Sequence, residues 1–256
     1  VGAVMDKTFG LCGSEYGGTN TKATRSAKQD KYDQNSAFKF GVYGGLFLDA
    51  QGNRFMDEGQ VVDYPMSYGS EPLIRNSPYY AVVDQAYVDA MKTKGLYEYT
   101  REKGAPDDWV IGEYYKEKVL TELDSDIEEG IEEGWIYKAD TSEELAEFFD
   151  TPNLPETVKT YNEYAENGED PQFGKNPMYL SAIEEGPYYI IQNEFSGWST
   201  IGGIRVDESL RALNDKNKPI PGLYVIGADA GSLFSTPYYD IPGSFYGLAI
   251  DSGTIA

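Results

Sequence analysis

Histidine is absent from these 256 residues, and cysteine occurs once. The missing imidazoles exclude Ser-His and Cys-His catalysis and His-based metal sites within the chain. Proton transfer must therefore fall to Tyr, carboxylate, Lys or Arg. Cys12, being alone, forms no internal disulfide and supplies no cluster for zinc or iron–sulfur ligation. It reads as a small core residue rather than a nucleophile, and no metal site is expected. No apolar run approaches the roughly 18–20 residues needed to cross a bilayer, so no transmembrane segment is expected in this chain. The opening Val1-Gly2-Ala3-Val4-Met5-Asp6 has neither the basic start nor the cleavage site of a signal peptide.

Basic charge is scarce as well: 21 Lys and Arg face 43 Asp and Glu, a formal net charge of −22. Such a field repels nucleic acid and anionic membrane surfaces, which excludes both as partners. Half of the excess sits in residues 121–150, which hold 12 acidic residues and one Lys. That run reads as a solvated face that aids solubility. What remains is globular in character. Hydrophobic residues make up 40% and aromatics 14%, which excludes wholesale disorder, and the length suffices for one large domain or two smaller ones.

Local signals place the elements. Residues 14–35 are polar and read as a long loop. A hairpin is expected from Tyr43-Gly44-Gly45-Leu46-Phe47-Leu48 through a turn at residues 49–53 into Arg54-Phe55-Met56, with Gly52 supplying the turn. Pro78-Tyr79-Tyr80-Ala81-Val82-Val83 reads as a strand. Asp84 then caps a helix carrying Ala86, Tyr87, Ala90 and Met91, with Gly95 beyond its end. Thr141-Ser142-Glu143-Glu144 is a capping box opening a helix through Phe149. Pro155 starts another, with Val158, Tyr161 and Ala165 on one face and Asn167-Gly168 ending it. Strands return at residues 188–191, 204–206 and 223–226. The fold class is α+β, a helical middle between strand-rich ends.

Candidate chemistry concentrates near the C-terminus. Gly227-Ala228-Asp229-Ala230-Gly231 follows the apolar residues 223–226. It is either a bare turn or a place where backbone approaches a ligand and Asp229 accepts from hydroxyls such as those of a ribityl chain. Pro242-Gly243 leads into a final helix from Ser244 or Phe245, whose free N–H groups either are simply capped or hold electron-rich oxygens. Tyrosine pairs such as Tyr79-Tyr80 and Tyr188-Tyr189 read as packing. Tyr238-Tyr239 differs because it precedes the helix entry, where a phenol can donate to a carbonyl or relay a proton.

The order of Ser199-Thr200-Ile201-Gly202-Gly203-Ile204-Arg205-Val206-Asp207, Pro219-Ile220-Pro221-Gly222-Leu223-Tyr224-Val225-Ile226-Gly227-Ala228-Asp229 and Tyr239-Asp240-Ile241-Pro242-Gly243-Ser244-Phe245-Tyr246-Gly247 resembles the FAD-dependent fumarate reductase/succinate dehydrogenase flavoproteins, which include the 3-ketosteroid Δ1-dehydrogenases. Gly52-Asn53-Arg54-Phe55-Met56-Asp57-Glu58 is similar to that family's G-x-R-F-x-x-E hairpin. Trp135 to Ala146, Thr160-Tyr161-Asn162-Glu163-Tyr164 and Asp170-Pro171-Gln172-Phe173-Gly174-Lys175 resemble its following elements. The resemblance implies a capping domain inserted in an FAD-binding domain: residues 1–9 and 200–256 belong to the FAD domain, residues 10–199 to the cap, and substrate sits between them. The glycine loop for the FAD pyrophosphate would then precede Val1, so the chain reads as a fragment, expected to bind FAD weakly or not at all and to be inactive alone.

By the same resemblance FAD is the cofactor, with Gly202, Gly203, Asp229, Ser244, Phe245 and Tyr246 on the binding side. The last loop is similar to that of 3-ketosteroid dehydrogenases, with a Tyr four residues before a Gly. This gives Tyr239 and Gly243 the catalytic role of polarising a substrate ketone through a hydroxyl and an N–H. Tyr64 or Tyr68 would supply the cap-side acid or base. Where fumarate reductases have a His before T-x-G-G, this chain has Ser199. Their proton-donating Arg falls near Val62, and their carboxylate-clamping Arg falls on Asp240, which would repel a dicarboxylate. The expected reaction exchanges a hydride between flavin N5 and a CH–CH or C=C bond beside a carbonyl, in a small ketosteroid- or enone-like substrate. The redox partner is left open. Two other readings stay open: a non-catalytic cap-like binding module, favoured by a start codon near Val1, and a fumarate-type reductase with relocated substrate residues, favoured by dicarboxylate turnover that depends on a relocated Arg.

Overall fold

The computed structural model describes residues 3–4, 11–12, 45–60, 70–102, 123–193, 199–200, 203–231 and 244–256. The long loop expected at residues 14–35, and the start of the hairpin at Tyr43, lie outside the described residues. The chain divides into two compact units. One comprises Val1–Gly17, Tyr64–Glu71 and Ser196–Ala256, the other Gly18–Asp63 and Pro72–Phe195.

The larger unit is built on a four-stranded antiparallel sheet in the spatial order Leu46–Leu48, Tyr79–Asp84, Tyr188–Asn193, Ile136–Ala139. The register pairs Leu46 with Val82, Val82 with Ile190, and Ile190 with Tyr137, which stacks one face of side chains across all four strands. Every residue of Tyr79–Asp84 is buried, so both faces of the central strand are covered. A near-continuous apolar run, rather than an alternating one, is what such a strand requires.

On one face Leu46, Leu48, Tyr80, Val82 and Ile190 meet Leu145 and Ala146 from helix Ser142–Phe149 and Leu154, Val158 and Tyr161 from helix Leu154–Asn167. Each fully buried Leu, Val or Ile contributes about 1.5–3 kcal/mol relative to exposure. Val88 and Met91 of helix Gln85–Thr93, Leu123 and Ile127 of helix Leu123–Glu133, and Trp135 are buried outside this cluster.

The helix boundaries follow local chemistry. Asp84 caps Gln85–Thr93, its Oδ1 accepting from the Tyr87 N–H at 2.9 Å. Its Oδ2 accepts from the Glu184 and Glu185 N–H groups at 3.0 and 3.2 Å, so one buried carboxylate starts a helix and pins a loop a hundred residues away. Gly95 does not close this helix as an isolated cap; it opens a second one, Gly95–Glu102, directly after it. Its φ of +74° turns the chain between the two. At Thr141 the hydroxyl accepts from the Glu144 N–H at 3.2 Å while the Glu144 carboxylate reaches back to the Asp140 N–H at 3.1 Å. Pro155 lies in the first turn of Leu154–Asn167, and Gly168 ends it with φ +67°.

The smaller unit carries short strands. Gly203–Arg205 pairs antiparallel with Ala3–Val4 and parallel with Ala230–Gly231. Leu11–Cys12 pairs with Ser199–Thr200. Arg211–Leu213 and Pro219–Tyr224 form a hairpin. The strand expected at residues 223–226 therefore sits earlier: it ends at Tyr224, and the Val225 N–H instead donates to the Leu210 carbonyl at 2.9 Å. Two prolines are tolerated in it because hairpin edges leave N–H positions unused. Among the described residues, Leu210, Ala212, Val225 and Ala230 form a buried apolar cluster. Helix Ser244–Ile255 closes the described chain.

Gly52 tests the hairpin. Its φ is +84°, and a Cβ there would stand 2.5 Å from the Leu154 backbone nitrogen. Gly52→Ala is expected to lower unfolding free energy by about 1–3 kcal/mol in urea melts, because strain and overlap act together.

Candidate functional site

In the smaller unit the sequence candidates converge in part. Strand Gly203–Arg205 runs beside the turn Gly227–Asp229. Gly203, at φ +129°, presses so closely on the Asp229 carbonyl that no Cβ fits between them. The turn is tied to helix Ser244–Ile255, since the Gly227 N–H donates to Ser252 Oγ at 2.9 Å and that hydroxyl donates to the Ala249 carbonyl at 3.3 Å. Gly203, Asp229 and the final helix thus form one connected group. Asp229 is exposed, and Tyr246 is 80% exposed. Ser244 and Phe245 occupy the first turn of the helix. Gly202, Tyr239 and Gly243 lie outside the described residues, as do Val62, Tyr64, Tyr68 and Asp240.

These features suit a flat, hydrogen-bonding cofactor. The first turn of a helix leaves N–H donors unused, and this one carries no acidic residue to compete for them. Among the described residues nothing lies within 4 Å of the point where a Cβ on Gly247 would stand. The Asp229 carboxylate can accept from hydroxyl groups. Among the described residues, no group of three or more Cys, Asp or Glu is placed to hold a metal ion, and no helix is long and apolar enough to cross a membrane.

The larger unit contains a feature that motif reading missed. Arg54 donates from Nε and Nη2 to the two Glu58 oxygens at 3.0 and 2.9 Å, and from Nη1 and Nη2 to the two Asp170 oxygens at 3.0 and 2.9 Å. Lys175 Nζ lies 3.3 Å from Glu58 Oε2 and donates to Tyr161 Oη at 2.8 Å. All four charged side chains are at most 1% exposed. Asp170 also accepts from the Gln172, Phe173 and Lys175 N–H groups. The Arg54 guanidinium lies 5.1 Å from the centroids of both the Tyr161 and Phe173 rings. Two positive and two negative groups cancel, and the set is closed to chemistry. The signal in the sequence was the four-residue spacing of Arg54 and Glu58; nothing local pointed to Asp170 or Lys175.

Burial opposes charge on every member, and the pairing wins. It would raise the Glu58 carboxyl, but Lys175 and Arg54 hold it below its ordinary value. Asp170 behaves likewise, lowered by Arg54 and by backbone N–H groups. Burial would lower the Lys175 ammonium, which Glu58 and Tyr161 instead hold well above its ordinary value.

Among the described residues of the same unit are two cavities. One of about 240 Å³ is lined by Val83, Asp84, Ala86, Tyr87, Tyr99, Ser181, Ala182 and Ile183. In it the Tyr99 and Ser181 hydroxyls stand 2.6 Å apart, and burial pushes the Tyr99 phenol up to about 12. The other, of about 570 Å³, is an open polar groove that includes Asn53, Asn153, Thr157, Thr160 and Gln172.

Comparison with known proteins gives this arrangement its class: a flavoprotein fold of mixed helix and strand. The chain belongs to the FAD binding domain family, which matches residues 31–245. It is 31% identical over 214 residues to a vinyl phenol reductase of Lactiplantibacillus plantarum, covering 81% of this chain and 41% of that protein. It is 29% identical over 238 residues to a 3-oxosteroid 1-dehydrogenase of Mycolicibacterium smegmatis, covering 83% and 37%. In fold it is similar to the 3-ketosteroid-delta4-(5alpha)-dehydrogenase of Rhodococcus jostii RHA1, with a TM-score of 0.53 and 20% identity over 84% of this chain and 38% of that one. The chain spans about two fifths of the length of these relatives. The cofactor of the family is FAD, and these relatives are oxidoreductases.

The ionic cluster fixes the pH response. Both carboxylates have folded values below their unfolded ones, so their contribution is complete above about pH 4.5, the ordinary Glu58 value, and is lost as pH falls through the folded values. Lys175 is raised, so its contribution is present below its ordinary 10.5 and is lost as pH rises through its folded value. Denaturant melts across pH should show an acid loss that Asp170→Asn diminishes. At neutral pH the same variant should cost on the order of 3–5 kcal/mol, because it breaks a buried pair and leaves Arg54 short of one charge.

Proposed function

We propose that this chain supplies the capping domain and the C-terminal part of the FAD domain of an oxidoreductase acting on a CH–CH or C=C bond beside a carbonyl. In this reading residues 1–9 and 200–256 belong to the FAD domain and residues 10–199 to the cap. The observation that carries it is the joining of Gly203, Asp229 and helix Ser244–Ile255, held through Ser252, in one group, within a chain of the FAD binding domain family. FAD, when bound, supplies the hydride exchange at its N5.

The residues of this chain divide the remaining work. Gly202 and Gly203 let backbone approach the cofactor, and Asp229 accepts from its hydroxyls. The N–H groups at Ser244, Phe245 and Tyr246 face the electron-rich edge of the ring and favour negative charge there. Tyr239 and the Gly243 N–H donate to the substrate ketone, which acidifies the neighbouring C–H. Tyr64 or Tyr68 takes or gives the proton. The exposed apolar residues Tyr246, Ile250, Ile226 and Tyr224 fit a surface covered by cofactor and by further FAD-domain structure.

Support for a neutral, unsaturated substrate comes from two sides. The relatives include a vinyl phenol reductase and a 3-oxosteroid 1-dehydrogenase. Asp240 stands where a dicarboxylate would need an Arg.

The test uses the longest natural form of the protein purified with FAD, assayed with 4-androstene-3,17-dione, the ligand of the Rhodococcus enzyme, and a dye as electron acceptor. Flavin absorption bands and steroid turnover are expected. Tyr239→Phe should leave the bands intact and lower kcat by about 10²–10³-fold, the usual cost of one donor to a developing oxyanion. Unchanged turnover in that variant would sink the Tyr239 assignment, and turnover of fumarate instead would replace the substrate class.

A further inference from the structure

We propose that the cavity beside the start of helix Gln85–Thr93 binds a small organic ammonium ion, its charge paired with Asp84 and its carbon chain against Tyr87 and Tyr99. The whole lining belongs to the larger unit, so the inference stands apart from the flavin reading.

Asp84 is 4% exposed, and its partners are the backbone N–H groups of Tyr87, Glu184 and Glu185. Among the described residues no Lys or Arg pairs with it. A carboxylate offers about four lone-pair sites, so those three bonds leave one for a further donor. The N–H dipoles of a helix start offset part of a buried negative charge, and a formal positive charge completes the balance. The neighbouring charge has the wrong sign for that task, since Glu184 and Glu185 are exposed on the loop that Asp84 pins. Lys175, whose charge reaches Tyr99, is already matched by Glu58.

The rest of the lining fixes the kind of cation. Tyr87 and Tyr99 stand edge to face, with ring centroids 5.5 Å apart and planes at 86°. Aromatic faces attract an ammonium group as well as its carbon chain. The Tyr99 and Ser181 hydroxyls, 2.6 Å apart, add oxygen atoms to the lining. Burial pushes the Tyr99 phenol up to about 12, so it brings no charge of its own near neutrality. Val83 and Ile183 are buried and supply apolar contact. A bare metal ion is a poor match, because among the described residues no group of three or more Cys, Asp or Glu is placed to hold one. The volume of about 240 Å³ suits a chain of a few carbons.

The experiment titrates n-butylammonium chloride, and n-butanol as its neutral counterpart, into the longest natural form purified with FAD. Ionic strength is held constant, and binding is read by saturation-transfer NMR. The ammonium ion is expected to bind about ten-fold or more tighter than the alcohol. Two variants locate it. Asp84→Asn keeps a capping oxygen but removes the charge, and should bring the two ligands within about two-fold of each other. Ala86→Leu fills the cavity from an exposed helix position without changing charge, and should weaken n-butylammonium about ten-fold or more. Equal binding of the two ligands to the unaltered protein, or binding of neither, would overturn the proposal. So would n-butylammonium binding that Ala86→Leu leaves unchanged, the mark of loose attraction to the acidic surface. Should Asp84→Asn not fold, Ala86→Leu decides alone, since its exposed position is expected to leave the denaturant melt unaltered.

Discussion

Arg54 engages two carboxylates at very different distances along the chain, Glu58 four residues on and Asp170 more than a hundred residues on. Much of the larger unit depends on that arrangement. The hairpin carrying Arg54 contributes the edge strand Leu46–Leu48, whose register against Tyr79–Asp84 sets which face its leucines present to the core. The loop carrying Asp170 follows helix Leu154–Asn167, which covers that face. Pinning hairpin to loop therefore fixes sheet and helix relative to each other. Burying four charges costs several kcal/mol per ion, and only near-complete pairing offsets it. The three backbone N–H groups on Asp170 and the Tyr161 hydroxyl on Lys175 supply the rest of that compensation.

The smaller unit is held together differently. Its described strands run two to six residues, and among the described residues its apolar cluster has four buried members. Backbone contact replaces side-chain packing: Gly203 on the Asp229 carbonyl, and the Gly227 N–H on Ser252. Helix Ser244–Ile255 is apolar around most of its circumference, yet Tyr246, Ile250 and Ile255 are largely exposed. Apolar surface on all sides of a helix ordinarily means cover on all sides. One unit thus closes its own core, and the other presents a broad apolar surface beside its glycine-lined turn.

What the sequence disclosed follows this contrast between local and distant interactions. Asp84, Thr141 and Pro155 marked their helices correctly because a cap is decided within four residues. The run at residues 79–83 was legible because a strand buried on both faces has no alternation to misread. The strand expected at residues 223–226 came too late, because hydropathy could not show that Val225 bonds to Leu210 across a hairpin. Gly95 looked like a terminator because its positive φ serves equally to end one helix or to turn into the next. The ionic cluster was legible only as separate motif fragments, since its partners are brought together by the tertiary fold. Order along the chain singled out Gly203, Asp229 and the helix from Ser244, but not the close approach of Gly203 to Asp229 or the tie of Gly227 to Ser252. Tyr239 and Gly243 rest on that order alone.

Electrostatics ties the missing histidine to the proposed substrate. A chain with a net charge of −22 and no imidazole has few ways to stabilise an anionic substrate or to shuttle protons near neutrality. Phenols remain. At an ordinary value near 10, a tyrosine hydroxyl is a neutral donor at pH 7. It suits a ketone oxygen that gains charge only in the transition state, whereas a carboxylate already charged in the ground state calls for Arg. A dicarboxylate would also have to approach against the field of the acidic surface, and a neutral enone would not. The abundance of tyrosine, the lack of histidine and the acidic balance of this chain accord with the neutral substrate proposed above.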